Sequence, residues 1–123
     1  MKNILILFLG ITFSYSAMAI ETGKDLQQAC LISQMVVVEG QPYYGDRADS
    51  EKCIYFLKGF LDGMYYTLDF TEQTLPFCRP PEETLGETLS SVAITLTVDS
   101  TYHNDPAGIA LIFALRKVWQ CNR

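Results

Sequence analysis

The sequence is poor in the residues that catalysis and metal binding draw on. It has one histidine, His103, in the polar turn "TYHND" and far along the chain from any cysteine. A structural zinc site takes four closely spaced nitrogen or sulfur ligands, so no metal and no cofactor is expected. No Cys-x-x-Cys pair is present, which leaves thiol–disulfide chemistry without its usual motif. Ser90 and Ser91 have no base beside them in the pattern, and Glu82 and Glu83 read as charges that favour a helix N-terminus. A hydrolase needs a nucleophile and a positioned base, so an enzyme is not expected. Basic residues are few, with 9 Lys and Arg against 14 Asp and Glu and a net charge of −5 at pH 7. Such a balance repels phosphate backbones and argues against nucleic acid, while it suits a basic protein partner. Repeats and low-complexity tracts are absent.

Long apolar runs are also absent, except at the start. Lys2, then "ILILFLGITF", then Ala17-Met18-Ala19 have the charged, apolar and small-residue regions of an export signal. The expected domain plan is therefore a signal peptide over 1–19, cleaved after Ala19, and one domain over 20–123. No later segment approaches the roughly 20 apolar residues of a membrane span, so none is expected after cleavage. Cleavage removes Lys2 and no acid, which makes the exported chain one unit more negative.

Four cysteines, Cys30, Cys53, Cys78 and Cys121, lie beyond the signal. An even count in a small exported chain reads as a framework of two disulfides. The fold class expected is all-α, a small four-helix domain. The first helix spans 22–38, opened by Thr22 and Asp25 in a capping-box pattern and carried by Leu26, Ala29, Cys30 and Ile32. The second starts at Asp49 or Ser50 and runs to about Phe70, with Pro76 blocking continuation. The third opens on Thr84-Leu85-Gly86-Glu87, a capping box, with Leu85, Leu89, Val92, Ala93 and Leu96 as its apolar stripe. The fourth takes Asp105 as N-cap and Pro106 as first residue, carries Leu111, Ile112, Leu115 and Trp119, and ends near Cys121. A short link makes the last two helices antiparallel neighbours, which brings Cys78 toward Cys121 and leaves Cys30 for Cys53. Four cysteines permit three pairings, and this layout favours that one.

Two stretches stand out as candidate sites. The segment "EGQPYYGDRADS" between the first two helices reads as a long loop, and long loops in compact domains are often functional. Tyr43 and Tyr44 are its candidate partner anchors, because tyrosine buries much area at little entropic cost, with Asp46 and Arg47 as flanking charges. The second stretch is "CIYFLKGFLDG". At about 100° per residue, Ile54, Leu57, Leu61, Met64, Tyr65 and Leu68 form an ordinary core stripe. Tyr55, Gly59, Asp62, Gly63 and Tyr66 form another, roughly opposite. Each glycine costs about 1 kcal/mol against alanine inside a helix, so the notch is expected to admit a close neighbour. Packing within the chain is the first expectation, with a partner site at Asp62 or a seam between two copies as alternatives.

These residues carry a resemblance. Cys30, then Cys53, Tyr55, Gly59, Asp62 and Gly63 in the pattern C-x-Y-x-x-x-G-x-x-D-G, then Phe77, Cys78 and Pro80, then Pro106 and a terminal Cys121, resemble the Tai/Rap-type immunity proteins of type VI secretion amidase effectors. The resemblance covers nearly all of the exported chain. It implies a small helical periplasmic protein, often dimeric, that binds a secreted peptidoglycan amidase and occludes its active site. A second function class is a small periplasmic acid-stress chaperone. Its acid response would come from carboxylates protonating below about pH 4, although two disulfides would restrain its opening.

Overall fold

The computed structural model describes residues 19–38 and 47–122. Residues 1–18, which hold nearly all of the expected export signal, and Tyr43, Tyr44 and Asp46 of the loop lie outside the described residues. Four helices form: α1 (Gly23–Val38), α2 (Arg47–Thr71), α3 (Leu85–Val98) and α4 (Ala107–Val118). The only β-type pairing among the described residues is an isolated bridge between Thr22 and Pro106. The all-α expectation holds. α1 is the central element and packs on each of the other three, while α3 also meets α2 and α4.

The helix starts follow from side-chain chemistry that the sequence advertises. The Thr22 backbone N–H and hydroxyl donate to Asp25 Oδ2 at 2.9 and 2.8 Å, and the Asp25 N–H donates back to Thr22 Oγ1. At α3 the same reciprocal box joins Thr84 and Glu87. These bonds satisfy N–H groups that a helix start otherwise leaves unpaired. α1 gains a second cap from the α3–α4 connection, whose Asp105 and His103 carbonyls accept from the Gly23 and Lys24 N–H groups at 2.9 Å each. The His103 ring in turn bonds the Leu96 carbonyl near the end of α3 through Nε2, at 2.6 Å. The single histidine is thus a structural clamp between a helix end and a loop.

Two boundaries differ from expectation. α2 begins at Arg47, ahead of Asp49 and Ser50. α4 begins at Ala107, with Pro106 rather than Asp105 in the cap position. The reason lies in the Thr22–Pro106 bridge: the Ala107 N–H donates to the Glu21 carbonyl at 2.9 Å, which holds Pro106 extended (ψ 138°). Backbone pairing with the segment before α1 does the work expected of an aspartate side chain. At its far end α2 stops before Pro76 is reached. Glu72 takes the left-handed conformation (φ 54°), and the Gln73 N–H returns to the Leu68 carbonyl at 3.1 Å, as in a Schellman-type ending.

The core is continuous. Leu26, Leu57, Val92, Leu96, Leu111 and Leu115 are fully buried in it. Both expected disulfides form, Cys30–Cys53 and Cys78–Cys121, each with Cα atoms 4.9 Å apart. The first is buried within the core and the second is exposed. Around the second, the Cys78 N–H donates to the Trp119 carbonyl at 2.9 Å, and Phe77 packs on the Trp119 ring at 5.4 Å between centroids. Arg79 lies over the same indole at 5.6 Å. The end of α4 is therefore pinned covalently, by backbone pairing and by aromatic packing.

Two glycines make tight approaches. A Cβ on Gly23 would strike the Tyr102 carbonyl and lie 2.8 Å from Ala110 Cβ, and one on Gly108 would lie 2.9 Å from the Phe60 ring. Gly23 lets the start of α1 press on α4 and its preceding loop. Gly108 receives a ring from α2.

Candidate functional site

α2 is the longest helix, at 25 residues against 12 to 16 for the others. Its inward side holds Cys53, Leu57 and Leu61 in the core, with Ile54, Phe56, Phe60 and Met64 partly buried against it. The opposite side is open. Beyond Leu61 no residue of the helix is fully buried, so its C-terminal half overhangs the body of the fold.

That open side carries the glycine stripe. Tyr55 is 66%, Tyr66 71% and Phe70 88% exposed, values far above those of rings that serve a core. Nothing among the described residues lies within 4 Å of a Cβ built on Gly59 or Gly63. A shallow apolar groove of about 450 Å³ runs beside the notch, lined by Gly59, Phe60, Gly63, Met64, Thr67 and Leu68. Three hydroxyl groups of α2 bond back to the helix itself. Thr67 Oγ1 donates to the Gly63 carbonyl at 2.8 Å and Thr71 Oγ1 to the Thr67 carbonyl at 2.9 Å. The Tyr55 hydroxyl donates to Glu51 Oε2 at 3.2 Å. Hydroxyls bonded back in this way leave methyl and ring surface outward.

Among the described residues no element packs on Tyr55, Gly59, Asp62 and Gly63. All four are exposed, because α1 and α3 dock on the Leu57–Leu61 side and no described element reaches the other. The reading of the notch as a close-packing device fits Gly23 and Gly108, which carried no signal beyond their place near helix starts. Phe70 was also missed, although its spacing from Gly59, Gly63 and Tyr66 continues the four-three-four rhythm of one helix face.

Among the described residues no group of three or more His, Cys, Asp or Glu is placed to hold a metal ion. The side chain of Arg47, the first residue of α2, lies outside the description, as do its expected companions Tyr43, Tyr44 and Asp46. The exposed rings and the groove beside them give the described part of α2 an apolar contact surface.

The comparisons with known proteins agree with that character. A family model described as Rap1a immunity proteins matches residues 22–121, from the cap of α1 to the last cysteine. The chain belongs to the Rap1a immunity protein family. No curated protein and no solved structure matches it. Membership points to an effector-immunity function, which implies a cognate effector as partner. For a Rap1a immunity protein, an exposed aromatic and apolar surface on a cystine-braced frame is the kind of feature through which binding can act. No described helix is long and apolar enough to cross a membrane.

Proposed function

We propose that this protein is a periplasmic immunity protein that binds a secreted peptidoglycan amidase effector and occludes its active site. The observation that carries the reading is the family match over nearly the whole helical domain. Two disulfides support an oxidising compartment, and the charged, apolar and small-residue start of the sequence supports export with cleavage after Ala19. Inhibition by occlusion needs no catalytic group on the inhibitor, only a surface that fills the cleft and excludes substrate. Tyr43 and Tyr44 supply the anchoring rings in this reading, Asp46 and Arg47 flank them, and the working form contains two copies. Segment 39–46 lies between Cys30 and Cys53, whose disulfide ties the helices on either side of it.

The test is direct. The exported, oxidised protein is used to capture partners from periplasmic extract, and captured amidase is assayed on peptidoglycan with and without added inhibitor. Loss of amidase activity at near-stoichiometric ratio is expected, and replacing Tyr43 and Tyr44 together with alanine weakens binding at least tenfold (~1.4 kcal/mol) without unfolding. Full amidase activity in the presence of excess inhibitor would refute the proposed target. Unchanged affinity of the double variant would remove this loop from the contact.

A further inference from the structure

The segment ahead of α1 is held from two sides. The Ile20 side chain is partly buried against the core. Glu21 gives its carbonyl to the Ala107 N–H at 2.9 Å, and Thr22 bridges to Pro106. Ala19 and Ile20 also line a cavity of about 120 Å³, together with Asp25, Gln28 and Ile32 of α1 and Lys52 of α2. The fold therefore sets where the Ile20 nitrogen lies.

That nitrogen lies near a carboxylate. Asp25 Oδ2 accepts from the Thr22 N–H at 2.9 Å and from the Thr22 hydroxyl at 2.8 Å, and the Glu21 N–H bonds the same carboxyl group. Consecutive backbone nitrogens are about 3–4 Å apart, which puts the Ile20 nitrogen within about 7 Å of that carboxyl. While Ala19 is attached, this nitrogen is a neutral amide. Cleavage after Ala19 turns it into an ammonium ion.

We propose that the Ile20 ammonium group released by signal cleavage pairs with the Asp25 carboxylate, as a latch between the new chain end and the first turn of α1. The assignment rests on the export reading above and adds to it a site that only the processed chain contains. The separation is inside the Debye length of about 8 Å at physiological salt, so the attraction survives screening. Other charges around the site are few. Glu21 adds to the attraction, while Lys24 on α1 and Lys52 on α2 oppose it. The α3–α4 connection contributes His103 and Asp105, which meet α1 here through their carbonyls. Glu21 and Lys24 are exposed to water, whereas Asp25 is fixed against this segment by its bonds to Glu21 and Thr22.

The experiment reads the amine itself. The oxidised chain beginning at Ile20 is labelled at its amino groups by reductive ¹³C-methylation, and the Ile20 signal is titrated by NMR, folded and in urea. An ordinary α-amine titrates at about 7.7–8.0, and the folded value is expected to exceed the value in urea by about half a unit or more. Asp25→Asn is expected to remove the rise. A second chain, with Gly-Ser ahead of Ile20, carries its ammonium two residues further out. An amine whose pKa is raised by folding stabilises the fold below its unfolded value and loses that contribution as pH rises through the folded one. Urea titrations should therefore find the Ile20 chain more stable than the extended chain at about pH 6.5, with the gap closing by about pH 10. Equal amine values folded and unfolded, or a gap that persists unchanged to the higher pH, overturns the latch. Intact mass of the protein recovered from the periplasm keeps the two ideas apart. A chain that starts at Ile20 with an unshifted amine sinks the latch and leaves the export reading standing. A start at any other residue overturns the cleavage site and the latch with it.

Discussion

Glycine substitution separates the open helix face from the packed one with opposite signs. Gly59 and Gly63 lie inside α2 with no described atom near a new Cβ. Alanine at either position gains helix propensity, about 1 kcal/mol each, and loses no contact within the chain. The double variant is therefore expected to unfold about 2 kcal/mol less readily, which for a domain of this size corresponds to a rise in Tm of roughly 8–16 °C. Gly23 is the counter-case. An alanine methyl there meets the Tyr102 carbonyl and Ala110 Cβ, and the carbonyl belongs to a backbone loop whose neighbours His103 and Asp105 cap α1. That loop cannot withdraw without breaking the caps, so Gly23→Ala is expected to cost about 1–3 kcal/mol, the range for overpacking. Gly108→Ala lies between, since its obstacle is the edge of the Phe60 ring, which can swing. Urea titration of the oxidised proteins, at concentrations low enough to read the single chain, gives all four values. Destabilisation of the Gly59→Ala, Gly63→Ala double variant by more than about 0.5 kcal/mol would mean that the chain covers this face itself, and the open-face reasoning would fail.

Other perturbations read the caps, charges and cystines. Thr84→Ala removes the N-cap of α3 and its reciprocal bond with Glu87, and is expected to cost about 1 kcal/mol by the same titration. Glu72→Gly should stabilise by up to about 1 kcal/mol, because a left-handed residue at φ 54° gains from losing its Cβ. Hydrogen bonds from Thr22 hold the Asp25 carboxyl below its ordinary range, the Thr84 N–H and hydroxyl do so for Glu87, and Lys117 with Thr101 does so for Asp99. Carboxyl groups lowered in the fold stabilise it fully above their unfolded values near 4 and lose that contribution as pH falls through the folded ones. Stability should therefore decline from about pH 4 downward, and Asp25→Asn with Glu87→Gln should flatten the decline in acid denaturation curves. Under mild reductant the exposed Cys78–Cys121 bond should open before the buried Cys30–Cys53 bond, which mass mapping of alkylated native protein would order. Opening of the buried pair first would contradict the placement.

What could be read from residues alone divides along a physical line. Local chemistry was legible. The boxes at Thr22–Asp25 and Thr84–Glu87 form, and the stripe of Leu89, Val92, Ala93 and Leu96 is buried, because caps and periodicity are decided within one or two turns. Both cystines follow from the order of helices, which is nearly as local. Other contacts between distant segments were not legible. Pro106 takes the cap position from Asp105 because the Glu21 carbonyl, far along the chain, holds the Ala107 N–H. Gly23 and Gly108 are tight because of Tyr102 and Phe60, and no spacing rule names those partners. The face of α2 shows both sides of this. Its chemistry was plain in the sequence, but whether another element of the fold covered it depended on where α1 and α3 dock.

The two candidate contact regions, segment 39–46 and the α2 face, are not independent in a chain braced this way. Cys53 lies in the first two turns of α2 and is bonded to Cys30 in α1, so the ends of the intervening segment are held together and cannot separate when the protein is free. Closing a segment of this length removes roughly 3 kcal/mol of chain freedom from the unfolded state on an entropy account. The same bond fixes the start of α2, the helix that carries the other face toward its overhanging end. An effector bound at segment 39–46 and a partner bound along α2 would then press on one lever anchored at Cys53. With one bond setting both geometries, replacing Cys30 and Cys53 together should weaken effector binding and partner binding along α2 in the same variant, whereas replacing Cys78 and Cys121, which brace the far end of α4, should lower stability and leave both contacts nearly unchanged at temperatures where the fold persists. Retention of both contacts in the Cys30, Cys53 variant would show that the core alone sets the lever.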